Sequence, residues 1–189
     1  VELSFLKKHI HSQKLFDLIY SALLQTELQI NDISSFAISV GPGSFTGLRI
    51  GSAISKAVCF ATGAELIEIN SLDLIAEKYY MNNNGKDKVI PLIFSGMKSG
   101  EFYYAVFENG KRVTGYQTAE PKEIEKIEGL LLLNDKVIYD FPENMRTVNM
   151  CNVTTLKALF SLAVKSINEG QISDYKTSEP FYMKQFLGS

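Results

Sequence analysis

Phe36-Ala37-Ile38-Ser39-Val40 runs without a break into Gly41-Pro42-Gly43-Ser44-Phe45-Thr46-Gly47. The first five residues are almost all apolar, the pattern of a short strand covered on both faces and therefore of a parallel sheet. Beyond the glycines, Ile50, Ala53, Ile54, Ala57, Val58 and Ala61 recur at helical spacing up to Gly63, a residue suited to ending a helix in the left-handed conformation. A loop between a buried strand and a helix directs free N–H groups and the positive end of the helix dipole at one point, where an anion can sit. Gly41, Gly43, Ser44, Thr46, Gly47 and Arg49 are the candidate contacts. The spacing matches no standard nucleotide motif: Thr46 stands where the dinucleotide fingerprint needs a glycine, and Gly47-Leu48-Arg49 stands where a Walker A loop needs Gly-Lys-Ser or Gly-Lys-Thr. Two readings stay open, an anion contact and a tight turn that packs strand against helix.

On the N-terminal side, Leu3, Phe5 and Ile10 suggest the tail of a strand, and Ser12 is placed to cap a helix from Gln13 toward Glu27. In that helix Leu15, Leu18, Ile19, Ala22 and Leu23 form one apolar stripe, and Phe16, Tyr20 and Leu24 form a second beside it. Two stripes need two covers, and two readings stay open: a helix buried inside its own lobe, or one stripe on the sheet and one reserved for a partner. On the C-terminal side Glu65–Ile69 reads as a strand, and Ser71 as the cap of a helix from Leu72 toward Tyr79. As far as Tyr79 strand and helix alternate, which argues for the α/β class.

Met81-Asn82-Asn83-Asn84-Gly85-Lys86-Asp87 replaces hydrophobic periodicity with turn formers and divides the chain into a first lobe, residues 1–85, and a second, residues 86–189, whose C-terminal segment is expected to return to the first. In the second, Val89–Phe94 and Phe102–Phe107 read as strands, with Asn109-Gly110 as a hairpin turn into Arg112–Gln117. Pro121 opens a short helix through Ile127. Leu130–Leu133 and Val137–Tyr139 are strand-like, and Thr154–Asn168 carries a helical stripe of Leu156, Leu159, Phe160 and Ala163.

The 189 residues carry 19 Lys and Arg against 21 Asp and Glu, a net charge of −2, so no global positive field holds a nucleic acid. Hydrophobic residues make up 46% and charged residues 21%, a globular composition rather than a disordered one. No apolar run is long enough to span a bilayer and Val1-Glu2-Leu3-Ser4 has no signal-peptide character, so a cytoplasmic location is expected. Cys59 and Cys151 stand singly, without the spacing of a zinc site or a disulfide framework.

The string Ser39-Val40-Gly41-Pro42-Gly43-Ser44-Phe45-Thr46-Gly47-Leu48-Arg49-Ile50-Gly51, followed by Ala53, Lys56 and Ala57, resembles the signature of the TsaB (YeaZ) family. Those bacterial proteins are required for making N6-threonylcarbamoyladenosine at position 37 of tRNAs (t6A37). His11-Ser12, Ile69-Asn70-Ser71-Leu72, Gly100-Glu101-Phe102-Tyr103 and Glu179-Pro180-Phe181-Tyr182 look like further family landmarks in the family's order. The resemblance implies a two-lobed actin-like, Hsp70-like fold (the ASKHA, ribonuclease H-like architecture). The family's N-terminal strand, with its Asp-Thr-Ser-like turn and hairpin partner, has no counterpart here. Val1–Leu6 is expected to be the end of the third strand, and the first lobe to lack its N-terminal strands. A second departure is Gly96-Met97-Lys98, where the family often reads Asp-Ala-Arg.

The same superfamily contains the catalytic paralogue TsaD, a glycoprotease-like protein whose metal site looks like Asn-His-x-x-x-His; the matching positions here are Ser71 and Ile75, and an aliphatic side chain cannot ligate. His9 and His11 are the only histidines and read as solvated or capping residues. Nothing in the spacing requires Ser44, His11 and Asp73 to converge as a triad. Between Val40 and Ala64 there is no Asp or Glu to hold Mg²⁺ for kinase chemistry. The expectation is therefore no catalytic residue, no metal and no cofactor, in a scaffold subunit paired with a TsaD-like catalytic subunit. The resemblance adds a TsaE-like ATPase as third component, a homodimer when alone, and tRNA reached only through the complex. Phe16, Tyr20 and Leu24, with the small-residue strip Gly47, Gly51 and Ser55, are the expected interface; the alternative for the strip is that it seats the helix on its own sheet. An ATP-handling enzyme of the sugar-kinase or actin-like fold is the alternative, with a glycoprotease-type metallopeptidase behind it.

Overall fold

The computed structural model describes residues 1–3, 11–95, 100–134, 139–151 and 155–183, and for residues 11–13 the backbone alone. Two strands, β1 (Ser35–Gly41) and β2 (Glu65–Asn70), pair in parallel with Phe36 opposite Leu66 and Ile38 opposite Glu68. They are joined by α2 (Phe45–Thr62), which follows α1 (His11–Thr26) in the helix order. The Ser44 hydroxyl caps α2 by accepting from the Gly47 N–H, and Gly63 ends it at φ 75° with its N–H on the Cys59 carbonyl. Backbone at 11–12 is already helical, so α1 starts ahead of the expected Gln13. The side chain of the proposed cap Ser12 lies outside the described residues. Val1–Leu3 forms no strand, and the rest of the expected strand tail falls at 4–10, also outside them.

Helix α3 (Ser71–Tyr80) is capped by Asn70 rather than by Ser71, a correction with a simple cause. Asn70 ends β2 with extended backbone, the conformation an N-cap requires, and its Oδ1 accepts from the Leu72 N–H at 2.9 Å. Ser71 is thereby left free to pair its hydroxyl with that of Ser39 on β1 at 2.8 Å.

The second sheet is built on β3 (Lys88–Phe94). Along one edge lie β4 (Phe102–Tyr104) and β5 (Phe107–Glu108), both antiparallel, so the single strand expected over Phe102–Phe107 is broken at Ala105–Val106. The Thr114 hydroxyl accepts from the Val106 N–H at 3.0 Å, replacing a ladder bond there. Its continuation is split likewise, into β6 (Lys111–Arg112) on β5 and β7 (Gln117–Ala119) on β4. Asn109 and Gly110 turn the β5–β6 hairpin at φ 52° and 73°, the two left-handed positions such a turn needs. Pro121 is the first residue of α4 (Pro121–Ile124), which is shorter than expected. On the other edge of β3 lie β8 (Leu130–Leu133) and then β9 (Thr147–Asn149), both parallel. The sequence reading missed β9; of its proposed Val137–Tyr139 strand, only Tyr139 is described, and it sits in a bend.

Two cores meet at α3. Leu74 packs with Ile67, Ile69, Ala158 and Ala163 between the first sheet and α5 (Leu156–Asn168), while Leu72, Ile75, Ala76 and Tyr79 pack on Val89, Ile93 and Leu132 of the second sheet. The stripe expected on α5 is rotated: Ala158, Leu159, Leu162 and Ala163 face inward, and Leu156 and Phe160 are exposed. The two alanines let the helix lie close against the sheet, a criterion that ranking by side-chain hydrophobicity overlooks.

Tyr79 donates to Asp87 Oδ2 at 2.6 Å, tying α3 to the segment that enters β3. Burial, with that carboxylate, pushes its phenol from 10.0 up to about 12. A folded value above the unfolded one contributes stability that is complete below pH 10 and is lost as the pH rises through about 12. Tyr79→Phe is expected to flatten this alkaline fall, measured as urea midpoints of both proteins on either side of pH 10.

Candidate functional site

The chain leaves β1 through a residue that only glycine fits. Gly41 is buried with φ 112°, and a β-carbon there would stand 2.8 Å from Leu48 Cδ1 and 3.1 Å from the Phe181 carbonyl oxygen. The Phe181 N–H donates to the Val40 carbonyl at 2.8 Å, so the C-terminal segment is fastened directly beside the loop. Gly43 differs: it has open space where a β-carbon would be and no positive φ. Of these two loop glycines, Gly41 alone carries a backbone constraint. Arg49, proposed as an anion contact, stacks 4.1 Å above the Phe45 ring and its Nε donates to Tyr182 Oη at 3.4 Å. Ser44 Oγ is committed to the helix cap, and Thr46 is exposed.

Beside the loop opens a cleft of about 650 Å³. The loop residues Pro42, Gly43 and Ser44 form one side, Ile93 and Phe94 of β3 another, and Phe181 and Tyr182 a third. Its long wall is one face of α3, carrying Ser71, Leu74, Ile75 and Lys78. Among the described residues that line it there is no Asp or Glu, and Lys78 is the single charged side chain. Burial pushes the Lys78 ammonium below its ordinary value, and its Nζ donates to the Met150 carbonyl at 3.1 Å. The sequence reading passed over Lys78; the signal was a lysine one turn beyond Leu74 and Ile75 on an otherwise apolar face.

A separate polar pocket of about 310 Å³ lies along another side of α3, lined by Asp73, Glu77, Arg112 and Lys165 among others. Burial pushes the Asp73 carboxyl up, against the opposing pull of the Tyr116 hydroxyl, which donates to its Oδ2 at 2.5 Å, and of Arg112, whose Nε lies 3.4 Å from its Oδ1. Arg112 also stacks over the Tyr116 ring at 4.1 Å. Ser44 and Asp73 line different cavities, so the triad is not assembled around them. His9 lies outside the described residues, as do Gly96, Met97 and Lys98; of His11 only the backbone is described. At the positions that match the paralogue's ligands, Ser71 is bonded to Ser39 and Ile75 is buried in the core.

Phe16, Tyr20 and Leu24 stand on one face of α1 with 55, 64 and 61% of their surface exposed. The small-residue strip of α2 is arranged differently. Ser55 is 1% exposed, its hydroxyl back-bonded to the Gly51 carbonyl at 2.6 Å, which satisfies it inside the fold beside Ile54, Val58 and Cys59. Ser55 is thus corrected from a surface residue to an internal one. Gly47 is half-buried near Ser44, and Gly51 has open space where a β-carbon would be. The outward face of α2 is instead Ala53, Ala57, Phe60 and Ala61.

Residues 6–174 match the family model described as TsaD, tRNA N6-adenosine threonylcarbamoyltransferase. A tRNA threonylcarbamoyladenosine biosynthesis protein TsaB of Buchnera aphidicola subsp. Schizaphis graminum is 26% identical over 123 residues, 64% of this chain and 57% of that protein. The TsaB protein of Escherichia coli is 31% identical over 103 residues, 53% of this chain and 43% of that protein. The chain spans about half the length of these curated relatives. A solved structure from Pseudomonas aeruginosa, described as similar to the peptidase YeaZ, superposes with a TM-score of 0.79 at 18% identity, covering 93% of this chain and 85% of that one. The α/β fold implied by the glycine-loop string is the one this chain shares with that structure. Among the described residues no helix is long and apolar enough to cross a membrane.

The contrast between the two loop glycines is measurable. Gly41→Ala forces a left-handed residue against Leu48 and the Phe181 carbonyl and is expected to cost about 1–3 kcal/mol. Gly43→Ala is expected to change stability by less than about 0.5 kcal/mol. Denaturant midpoints of the two variants give the comparison.

Proposed function

The chain belongs to the tRNA N6-adenosine threonylcarbamoyltransferase family, on its TsaB (YeaZ) branch, and from this premise we propose that it is a non-catalytic scaffold subunit in the formation of t6A37. It pairs with a TsaD-like transferase and supports transfer of the threonylcarbamoyl group from its adenylate to tRNA. A TsaE-like ATPase completes the assembly, and tRNA is reached through the complex.

The observation that carries the reading is the exposed apolar face of α1. Phe16, Tyr20 and Leu24 lie four residues apart on successive turns and are largely exposed, with no cover among the described residues. Burying three such side chains contributes on the order of 5 kcal/mol before the costs of association. The outward face of α2 extends this surface with small side chains at Ala53, Ala57 and Ala61 and one large one, Phe60, which is 75% exposed. Such a face suits another helix pair, either the transferase's or a second copy's, so the two associations compete. The non-catalytic assignment is supported by Ser71 and Ile75, which are committed to packing and hydrogen bonding at the positions where the paralogue's ligands fall.

The test is co-purification with the transferase, followed by a tRNA threonylcarbamoylation assay with and without this chain. Tyr20→Glu places a carboxylate in the middle of the face. Because Tyr20 is largely exposed in the isolated chain, circular dichroism and melting temperature are expected to stay unchanged. Association measured by sedimentation is expected to weaken by about 100-fold or more. Unaltered association of the folded variant would place the partner surface elsewhere.

A further inference from the structure

Lys78 is 4% exposed, yet it lines the cleft. Its ammonium carries three protons, and the bond to the Met150 carbonyl uses one. Among the described residues no carboxylate lies within 4.0 Å of its Nζ, and none lines the cleft wall. A buried ammonium without a counter-charge is costly, and a near-isosteric apolar side chain would pack as well without that cost. The face of α3 that ends in Lys78 has a fixed order: Ser71, then Leu74 and Ile75, then Lys78. Seven residues of helix separate the hydroxyl end from the charged end by roughly 10 Å. Ile93, which packs with Ile75, and Phe94 line the cleft beside this wall.

We propose that the cleft binds a small amphiphilic anion, a carboxylate or phosphate monoester about 10 Å long. Its acid group is held by Lys78, its apolar body lies along Leu74 and Ile75, and a hydroxyl or amide at its far end bonds the Ser39–Ser71 hydroxyl pair. Recognition is by the ammonium directly, because among the described residues the lining offers no carboxylate to hold a bridging cation. The site is distinct from the α1 face and does not depend on the scaffold reading.

The probes are 4'-hydroxybiphenyl-4-carboxylate and the corresponding aryl phosphate, with neutral 4-hydroxybiphenyl as control, titrated calorimetrically into the full chain. Lys78→Met is expected to keep the fold with an equal or higher melting temperature. It should weaken both acids by roughly 10- to 100-fold while leaving the neutral control unchanged. The tighter of the two acids identifies carboxylate or phosphate as the natural head group. Ser71→Ala should weaken the hydroxylated acid and leave biphenyl-4-carboxylate unaffected. Absence of saturable binding to the unaltered chain, or equal affinity in a folded Lys78→Met variant, overturns the proposal. Should Lys78→Met unfold, methyl NMR of the unaltered chain decides: acid-induced shifts at Leu74 and Ile75 support the site, and their absence overturns it.

Discussion

The close approach of three chain segments at Gly41 is the constraint on which the rest of the first sheet depends. The pairing of β1 with β2 slips between Ser39 and Gly41, and at that point the chain takes a left-handed turn. Leu48, returning on the first turn of α2, lies over the glycine, and the Phe181 carbonyl closes the remaining space. One missing β-carbon therefore sets where α2 starts and how the C-terminal segment meets β1, and both of these form sides of the cleft. The glycine string reads more naturally as architecture than as a phosphate cradle, because Ser44 and Arg49, its polar groups, are engaged with the helix cap and with Phe45 and Tyr182.

From that fixed point α3 organises the remainder. A ten-residue helix touching both cores must be apolar on more than one side, which is why its buried set includes Leu72, Leu74, Ile75, Ala76 and Tyr79. Its polar residues occupy what is left. Asp73 meets Tyr116 and Arg112, Glu77 accepts from Ser161 of α5 at 2.7 Å, and Lys78 meets the Met150 carbonyl. Each is a tie to a different element, so the helix fixes the second sheet and α5 relative to the first sheet through polar bonds as well as packing.

Much of this was legible from residue patterns because strong local signals agree with the global fold. The apolar run ending at Val40, the glycines at 41 and 63, and Asn109-Gly110 each specify one backbone state, and tertiary contacts had only to accept it. Legibility failed where a tertiary contact competed with a local one. Ser71 has the composition of a cap, but β2 delivers Asn70 in the required geometry first. Thr114 interrupts a ladder with a hydroxyl, an event without periodicity. β9 is three residues of mixed polarity whose strand character comes from β8 alone. In α5 and α2 the errors share one cause: small residues mark where a helix sits close to its own fold, so Ala158, Ala163 and Ser55 are inside while Phe160 is outside. For the functional surfaces, Phe16, Tyr20 and Leu24 were visible as a second stripe, whereas the cleft wall depends on how α3 sits between the two sheets and the C-terminal segment, and only the assembled fold defines that.

Charge placement separates the two surfaces that remain available for binding. The chain is nearly neutral overall, yet its acidic residues around α3 gather in the polar pocket, where Asp73 and Glu77 face Arg112 and Lys165. The cleft on another side of the same helix has one cation and no acid among its described lining residues. Among the described residues, helix α3 thus divides a pocket with both charge signs from a cleft with one cation. The cleft takes nothing from α1 and only residues at the start of α2, so a protein seated on Phe16, Tyr20 and Leu24 and a small anion seated at Lys78 use different side chains. One route of coupling between them is the first turn of α2, where Phe45 and Leu48 line the cleft and Arg49 holds Phe45 against Tyr182; a second is β1, which lines the cleft through Ser39 and carries α2 on its surface. Both routes meet at Gly41, where β1 ends and the turn into α2 begins, so the constraint that shapes the strand-to-helix reversal lies between the cleft and the helices proposed to face a partner.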